Sequence, residues 1–411
     1  MRFASLLAAL LLIASTPAPT FEELNHRALE QYKAKDYAGL VVTLQSMDAM
    51  NPNHPRILTN LALAYAFTGR NDEAFATMDQ LLRMNVGFDT SDEDFNVLRS
   101  DPRFKDIAQR LAALRSRRVA GASIAYRIPR RGLITEGLAH DEKTHAWFVS
   151  SVRKGTILRI DARGRVTDFA SGPHGLSGIE IDPNRRLLWA CSTASPRVEA
   201  FRKGDPNDAS VVAFDLESGK LVHQIPMEPK AFCDDLTLAR DGSVYVSDST
   251  GSILWIRAGT TNIATVVPRG VVRSPQGSVL SASERILYVS DYGGPIRAVD
   301  LATGDVVALR MPPDFQPRGI DGLTRHGRDL IAVQNGIEPN RIVRLTLSPD
   351  GFGIAKATIL EMNHPNMDEP TIGKVAGGYY YFIAASQGNK FDNGPADEKK
   401  LTDAYVMKIG L

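Results

Sequence analysis

DDLTLARDGSVYVSDS (Asp234–Ser249) decides the fold. Acidic residues open a short apolar strand, Asp241-Gly242 supplies turn chemistry, and a second strand closes on Ser247-Asp248. The same sentence recurs five times: EGLAHDEKTHAWFVSS from Glu136, SGIEIDPNRRLLWACS from Ser177, QGSVLSASERILYVSD from Gln276, DGLTRHGRDLIAVQN from Asp321 and EPTIGKVAGGYYYFIAAS from Glu369. The copies start 41, 57, 42, 45 and 48 residues apart. That spacing fits one four-stranded blade per copy, so a six-bladed β-propeller is expected over 119–411. The last copy has room for only three strands after Glu369. The alternating SIAYRI (Ser123–Ile128) is the available fourth and is expected to close the ring, which leaves no sheet edge open.

In an up-and-down blade the innermost strand starts beside the central channel, on one face. The six start positions Glu136, Ser177, Asp234, Gln276, Asp321 and Glu369 are therefore expected to be neighbours. Four are carboxylates, which repel one another in a narrow mouth unless a cation sits among them. The metal set read from this register is Glu136, Asp234, Gln276, Asp321 and Glu369. All-oxygen donors point first to calcium. Magnesium and manganese also fit, and zinc stays open although it usually recruits nitrogen or sulfur. Each residue taken alone also has a structural reading, because Asp-Gly pairs form turns and polar strand ends tie loops together. The second-strand ends Ser151, Ser192, Asp248, Asp291, Asn335 and Ser386 are read mainly in that supporting role.

The EG and DD copies resemble the regucalcin/gluconolactonase family of six-bladed propellers, with strictosidine synthase and the paraoxonases as more distant relatives of the fold. The resemblance spans about residues 120–411. It implies that Glu136, the Glu of the EG pair, binds a divalent metal, with Asp234 and Asp321 at later inner-strand starts. It departs at Leu138, where the family has Pro, and at Gln276, where it has Asn. The activity implied is metal-dependent hydrolysis of a lactone or small ester.

That chemistry needs a general base near the metal face. His174 and His364 lie in loops just before inner-strand starts, and Asp235 and Asp248 are acidic candidates. Arg318, Lys230 and Arg197 are candidates for holding an acidic substrate or an oxyanion. Arg197 belongs to one of two long inserts, 194–210 and 387–400, expected to overhang the site; Lys390, Asp392 and Asn393 belong to the other. Cys191 and Cys233 map to the same face of adjacent blades. Two readings follow, a disulfide in an oxidising compartment or two buried thiols.

Residues 19–118 read as helical. Leu24 aligns with Leu58, Ala28 with Ala62, Leu40 with Ala74 and Leu44 with Met78, a spacing of 34. Ala62, Tyr65, Ala74 and Pro52 partly match the tetratricopeptide pattern, so the segment resembles that repeat without its early Trp and Gly. A structural arm and a protein-binding surface are the two readings. The whole chain could then act as a non-catalytic scaffold or ligand-binding protein, the alternative to a hydrolase. Residues 1–18 carry Arg2, the apolar run Leu6–Ile13 and small residues near Thr16-Pro17-Ala18, the pattern of a secretory signal peptide. A periplasmic or secreted protein is expected. A net charge of +1 over 411 residues offers no overall field for nucleic acid, and no second long apolar run offers a membrane span.

Overall fold

The computed structural model describes residues 19–392 and 394–411. The segment read as a signal peptide, and Asn393, lie outside the described residues. Contact density divides the chain into two units. The first runs to Met78 and takes in Ser91–Phe104; the second comprises Asp79–Thr90 and Lys105–Leu411. The division falls within the helical segment.

Five α-helices open the chain: α1 Phe21–Lys33, α2 Tyr37–Met50, α3 Pro55–Phe67, α4 Asn71–Arg83 and α5 Pro102–Ser116. Thr20 starts α1 with a reciprocal capping box to Glu23, which satisfies donors the helix itself cannot use. Asp36 caps α2 through the Gly39 amide. All eight residues of the 34-residue register, from Leu24 to Met78, are buried. Among the described residues no helix is long and apolar enough to cross a membrane.

The second unit carries six four-stranded antiparallel sheets. The first blade runs Thr135–Asp141, Ala146–Ser151, Thr156–Ile160 and Val166–Ser171. The next four inner strands are Gly175–Asp182, Cys233–Leu238, Pro275–Leu280 and Ile320–His326, and the sixth is Gly373–Ala376. Each inner strand packs beside the next, and the sixth packs beside the first, so the six form a closed propeller. As expected, the ring is closed by the strand Ala122–Arg131. It pairs antiparallel with Asp403–Gly410, from Ala122 opposite Ile409 to Arg131 opposite Asp403. Apolar side chains facing neighbouring sheets fill the spaces between blades, such as Phe148, Leu188 and Phe214 between the first two.

Five inner strands share one irregularity. The ladder breaks between Thr135 and Leu138, Leu176 and Ile179, Cys233 and Asp235, Pro275 and Ser278, and Ile320 and Leu323. The β-bulge falls each time on the start position named from sequence, and a bulge re-aims the side chain it carries. Glycine follows in four of the five. A Cβ on Gly137 would lie 2.5 Å from the carbonyl oxygen of Ser177, and one on Gly277 would run into that of Asp321. These glycines are there because successive inner strands nearly touch.

The sixth blade corrects one expectation. Gly322 approaches the carbonyl of Thr371 as Gly137 approaches that of Ser177. Thr371, not Glu369, therefore occupies the sixth register position. Glu369 lies two residues earlier, outside the strand, with φ of 59°.

The residues after α4 are tied into the second unit by Arg341, which is 1% exposed. Its guanidinium donates to the carbonyls of Met84 and Asn85 at 3.0 and 3.1 Å and to Gln334 Oε1 at 2.7 Å. Cys191 and Cys233 form a disulfide with Cα atoms 5.1 Å apart, joining the second and third blades.

Two outcomes follow. Closure of the 42-residue loop is worth about 4 kcal/mol in the chain-entropy picture, so the double variant Cys191→Ser/Cys233→Ser should lose about 2–4 kcal/mol in denaturant unfolding of the oxidised protein. Gly277→Ala should lose roughly 1–3 kcal/mol by forcing two strands apart. An unchanged urea midpoint for Gly277→Ala would contradict the close approach.

Candidate active site

The bulges bring Glu136, Asp234 and Asp321 to one mouth of the channel, and the Glu369 loop adds a fourth carboxylate. Burial raises Glu136 well above the usual carboxylate range, and the charges of Asp321, Glu369 and Asp234 push the same way. Asp234 is likewise raised well above it, first by burial and then by Asp321 and Asp235. Asp321 is pushed up to about 7, by burial and by Glu369, against an opposing hydrogen bond from Asn335. Burial also raises Glu369, although amides of Asn389 and Gly388 work against it. All four keep intermediate solvent exposure.

One cation answers them. Arg197, from the first insert, acts on all four carboxylates and lowers each. Its own guanidinium donates to Asp392 of the second insert at 2.5 Å. The two inserts thus meet over the site. Beneath them lies a cavity of about 350 Å³ lined by Glu136, Asp234, Ser177, Thr193, Arg197 and Asp392, together with apolar side chains.

Two second-strand ends serve this cluster directly. Asn335 Nδ2 donates to Asp321 Oδ2 at 2.6 Å and to the Pro370 carbonyl at 2.9 Å. Its Oδ1 accepts from the Tyr292 hydroxyl at 2.9 Å. Ser386 Oγ donates to Glu136 Oε1 at 3.3 Å. Tyr292 is raised above its ordinary value by burial and by Asp321, Glu369 and Glu136, so its phenol stays protonated. Sequence reasoning missed Tyr292. The only signal was its place just after a second-strand end.

The donor set is all oxygen, and once ionised it carries more negative charge than Arg197 offsets, which suits a hard divalent cation. Among the described residues, however, no three His, Cys, Asp or Glu groups converge closely enough to form a ready-made metal cage. The carboxylates share a mouth and an electrostatic field, and a bound ion would have to draw their side chains inward.

Other candidates stand elsewhere. Gln276 is on its bulge, but its amide donates to Ser274 Oγ at 3.5 Å. Asp248 ties a turn: it accepts from the Phe232 amide at 2.9 Å, the Thr250 hydroxyl at 2.7 Å and the Ser252 hydroxyl at 2.7 Å. Burial would raise Asp248, but these bonds outweigh it and leave the carboxyl below its usual range, which suits an anchor better than a base. His364 Nδ1 accepts from the Asn366 amide at 3.1 Å, and the ring feels Glu361 and Arg118 rather than the hub carboxylates. His174 donates its backbone amide to Ser192 Oγ at 3.2 Å; it is not among the residues lining the cavity. Arg318 is lowered to about 10 by burial and faces Asp291 and Arg273. Lys230 is exposed, with φ of 68°.

Asp235 stands where the first, second, fourth and fifth blades have glycine. It accepts from the Ser278 amide at 3.3 Å and lines a different cavity, of about 330 Å³, with Glu180 and Lys374. Burial pushes it up to about 7, with Glu180 and Asp321 adding.

No family model matches the chain, and no curated protein does. Solved structures do. A gluconolactonase from Xanthomonas campestris aligns with a TM-score of 0.51 at 14% identity, covering 72% of this chain and 91% of that one. Regucalcin, a calcium-binding protein from Agrobacterium tumefaciens, aligns with a TM-score of 0.50 at 14% identity, covering 70% and 94%. At that identity the likeness is one of fold, and the six-bladed propeller expected from the repeats is the fold shared.

The raised carboxylates set a pH dependence. Asp321 keeps its proton to about 7 in the folded state and to about 3.9 when unfolded. Its contribution is therefore fully present below the unfolded value and is lost as pH rises through the folded one. In chelator-treated protein, Asp321→Asn should gain stability relative to the parent as pH rises from about 4 to about 7, read from paired melting curves. A difference independent of pH would remove the argument.

Proposed function

We propose that this protein is an exported, divalent-metal-dependent hydrolase of lactones or small esters. The observation that carries the reading is the gathering of Glu136, Asp234, Asp321 and Glu369 at one half-buried mouth, beside a cavity of substrate size and with the Arg197 guanidinium to offset part of their charge. Four such groups repel one another, and a cation among them relieves that repulsion. Calcium suits the oxygen donors best, magnesium and manganese also suit them, and zinc least. The gluconolactonase and the calcium-binding regucalcin that share the fold support the same reading.

When bound, such an ion supplies Lewis-acid polarisation of a carbonyl and lowers the pKa of water. The chain supplies the rest. Glu136 and Asp234 line the cavity and would hold the ion there. A hub carboxylate not engaged by the ion could accept a proton from water or return one to a leaving oxygen. Arg197, fixed by Asp392, is placed to steady negative charge developing on the carbonyl oxygen. Asn335 and Ser386 hold Asp321 and Glu136 in orientation. The inserts limit water above the reacting bond. The disulfide agrees with an oxidising compartment, which is consistent with the charged, then apolar, then small-residue order of residues 1–18.

Steady-state turnover should appear on a panel of lactones and small esters with added calcium, manganese or magnesium, and vanish with chelator. Glu136→Gln should cost more than the roughly 10–100-fold typical of an outer partner of a metal ligand. A panel with no turnover under any of the three ions, or a Glu136→Gln enzyme as fast as the parent, would end the hydrolase reading.

A further inference from the structure

The mouth cavity is mixed in character. Glu136 and Asp234 give it an acidic part, and its lining also includes the apolar side chains of Val152, Pro196, Phe232 and Phe391. None of these four belongs to the packed clusters between the blades. Their apolar surface is left for whatever enters.

The two rings are held in place. Phe391 lies under the Arg153 guanidinium, 5.1 Å from the ring centroid, and Arg153 is itself fixed by Glu199 at 2.9 Å. Phe232 is fixed through its backbone, whose amide donates to Asp248 Oδ1 at 2.9 Å.

Two hydroxyls in the lining are already engaged. Ser177 Oγ and Thr193 Oγ1 both donate to the Cys233 carbonyl at 3.1 Å. Arg197 and Asp392 are paired with each other. Against Val152, Pro196, Phe232 and Phe391 a hydroxyl of the ligand would give up its water and find no side-chain hydrogen bond in return. An alkyl chain loses nothing by desolvation and gains from each carbon it buries.

We infer that the ligand of this cavity carries an apolar chain or ring beside its ester carbonyl, and that polyhydroxylated sugar lactones are poor substrates. The carbonyl faces Glu136, Asp234 and Arg197, and the chain lies against Phe232 and Phe391. The ester chemistry in this statement rests on the hydrolase reading above; the apolar character of the ligand rests on the wall alone.

The test uses the full-length protein with added divalent ion. One arm measures kcat/KM on γ-lactones of increasing alkyl length and on a polyhydroxylated aldonolactone. Each methylene should raise kcat/KM by roughly fourfold until the cavity is full, and the aldonolactone should trail by about tenfold or more. A second arm measures calorimetric binding of lactams bearing the same alkyl chains, which are not turned over. Phe391→Ala should flatten both chain-length series, and Phe232→Leu serves the same purpose should Phe391→Ala not fold. An aldonolactone as good as the alkyl lactones overturns the inference and leaves the hydrolase reading standing. Chain-dependent lactam binding without turnover of any lactone supports the ligand class and ends the hydrolase reading alone. Lactam binding indifferent to chain length overturns the inference whatever the kinetics.

Discussion

Repulsion among buried carboxylates is the constraint around which this site is organised. Glu136, Asp234, Asp321 and Glu369 share one half-buried mouth, where burial and neighbouring charge raise the cost of ionising them. A fold carries such a cluster only if something rigid holds it. Here the rigid element is the closed ring of inner strands, whose bulges fix where the side chains point. Arg197 reduces the repulsion without cancelling it, and it does so from an insert outside the ring. The cluster is therefore built into the scaffold, while its counter-charge sits in a segment that also covers the cavity.

Ring closure makes the rest consistent. The strand Ala122–Arg131 and the C-terminal strand Asp403–Gly410 complete one blade from opposite ends of the second unit. The strand Ala122–Arg131 thereby becomes the outer edge of the sixth blade. With the circumference fixed, successive inner strands approach closely, and glycine stands behind four of the five bulges, as at Gly137 and Gly277. The same closeness that demands glycine brings the preceding residues within electrostatic reach of one another. Packing and charge thus have one geometric origin.

The blades were legible in the sequence because each repeats a period-two strand pattern about a turn, and six copies fixed the register of five bulges without knowledge of any contact. The sixth was misplaced. Glu369-Pro370 looks like another strand opening, yet the strand begins only at Gly373, and Thr371 takes the register position. Asp248 and His364 read as candidate bases because a residue type and a loop position were all the sequence offered; their hydrogen bonds, which make them turn anchors, were not visible. The apolar wall was invisible for another reason. Val152, Pro196, Phe232 and Phe391 come from distant parts of the chain, and single apolar residues near loops carry no pattern. Arg341 was also illegible, since its role depends on carbonyls more than two hundred residues earlier, at Met84 and Asn85.

Asp235 shows how one departure from the repeat divides the channel. Four of the blades place glycine after the bulge, and the third places a carboxyl there, packed against Gly178 and bonded to the Ser278 amide. It lines the cavity that also holds the Glu180–Lys374 ion pair, whereas its neighbour Asp234 lines the mouth. Adjacent residues on an inner strand thus serve opposite sides of the hub. The side chain of Asp235 occupies space that glycine leaves open in those four blades. It also adds a negative charge behind Asp234, which strengthens the demand for a cation in front of it. The break in the glycine series therefore acts in the same direction as the carboxylate register.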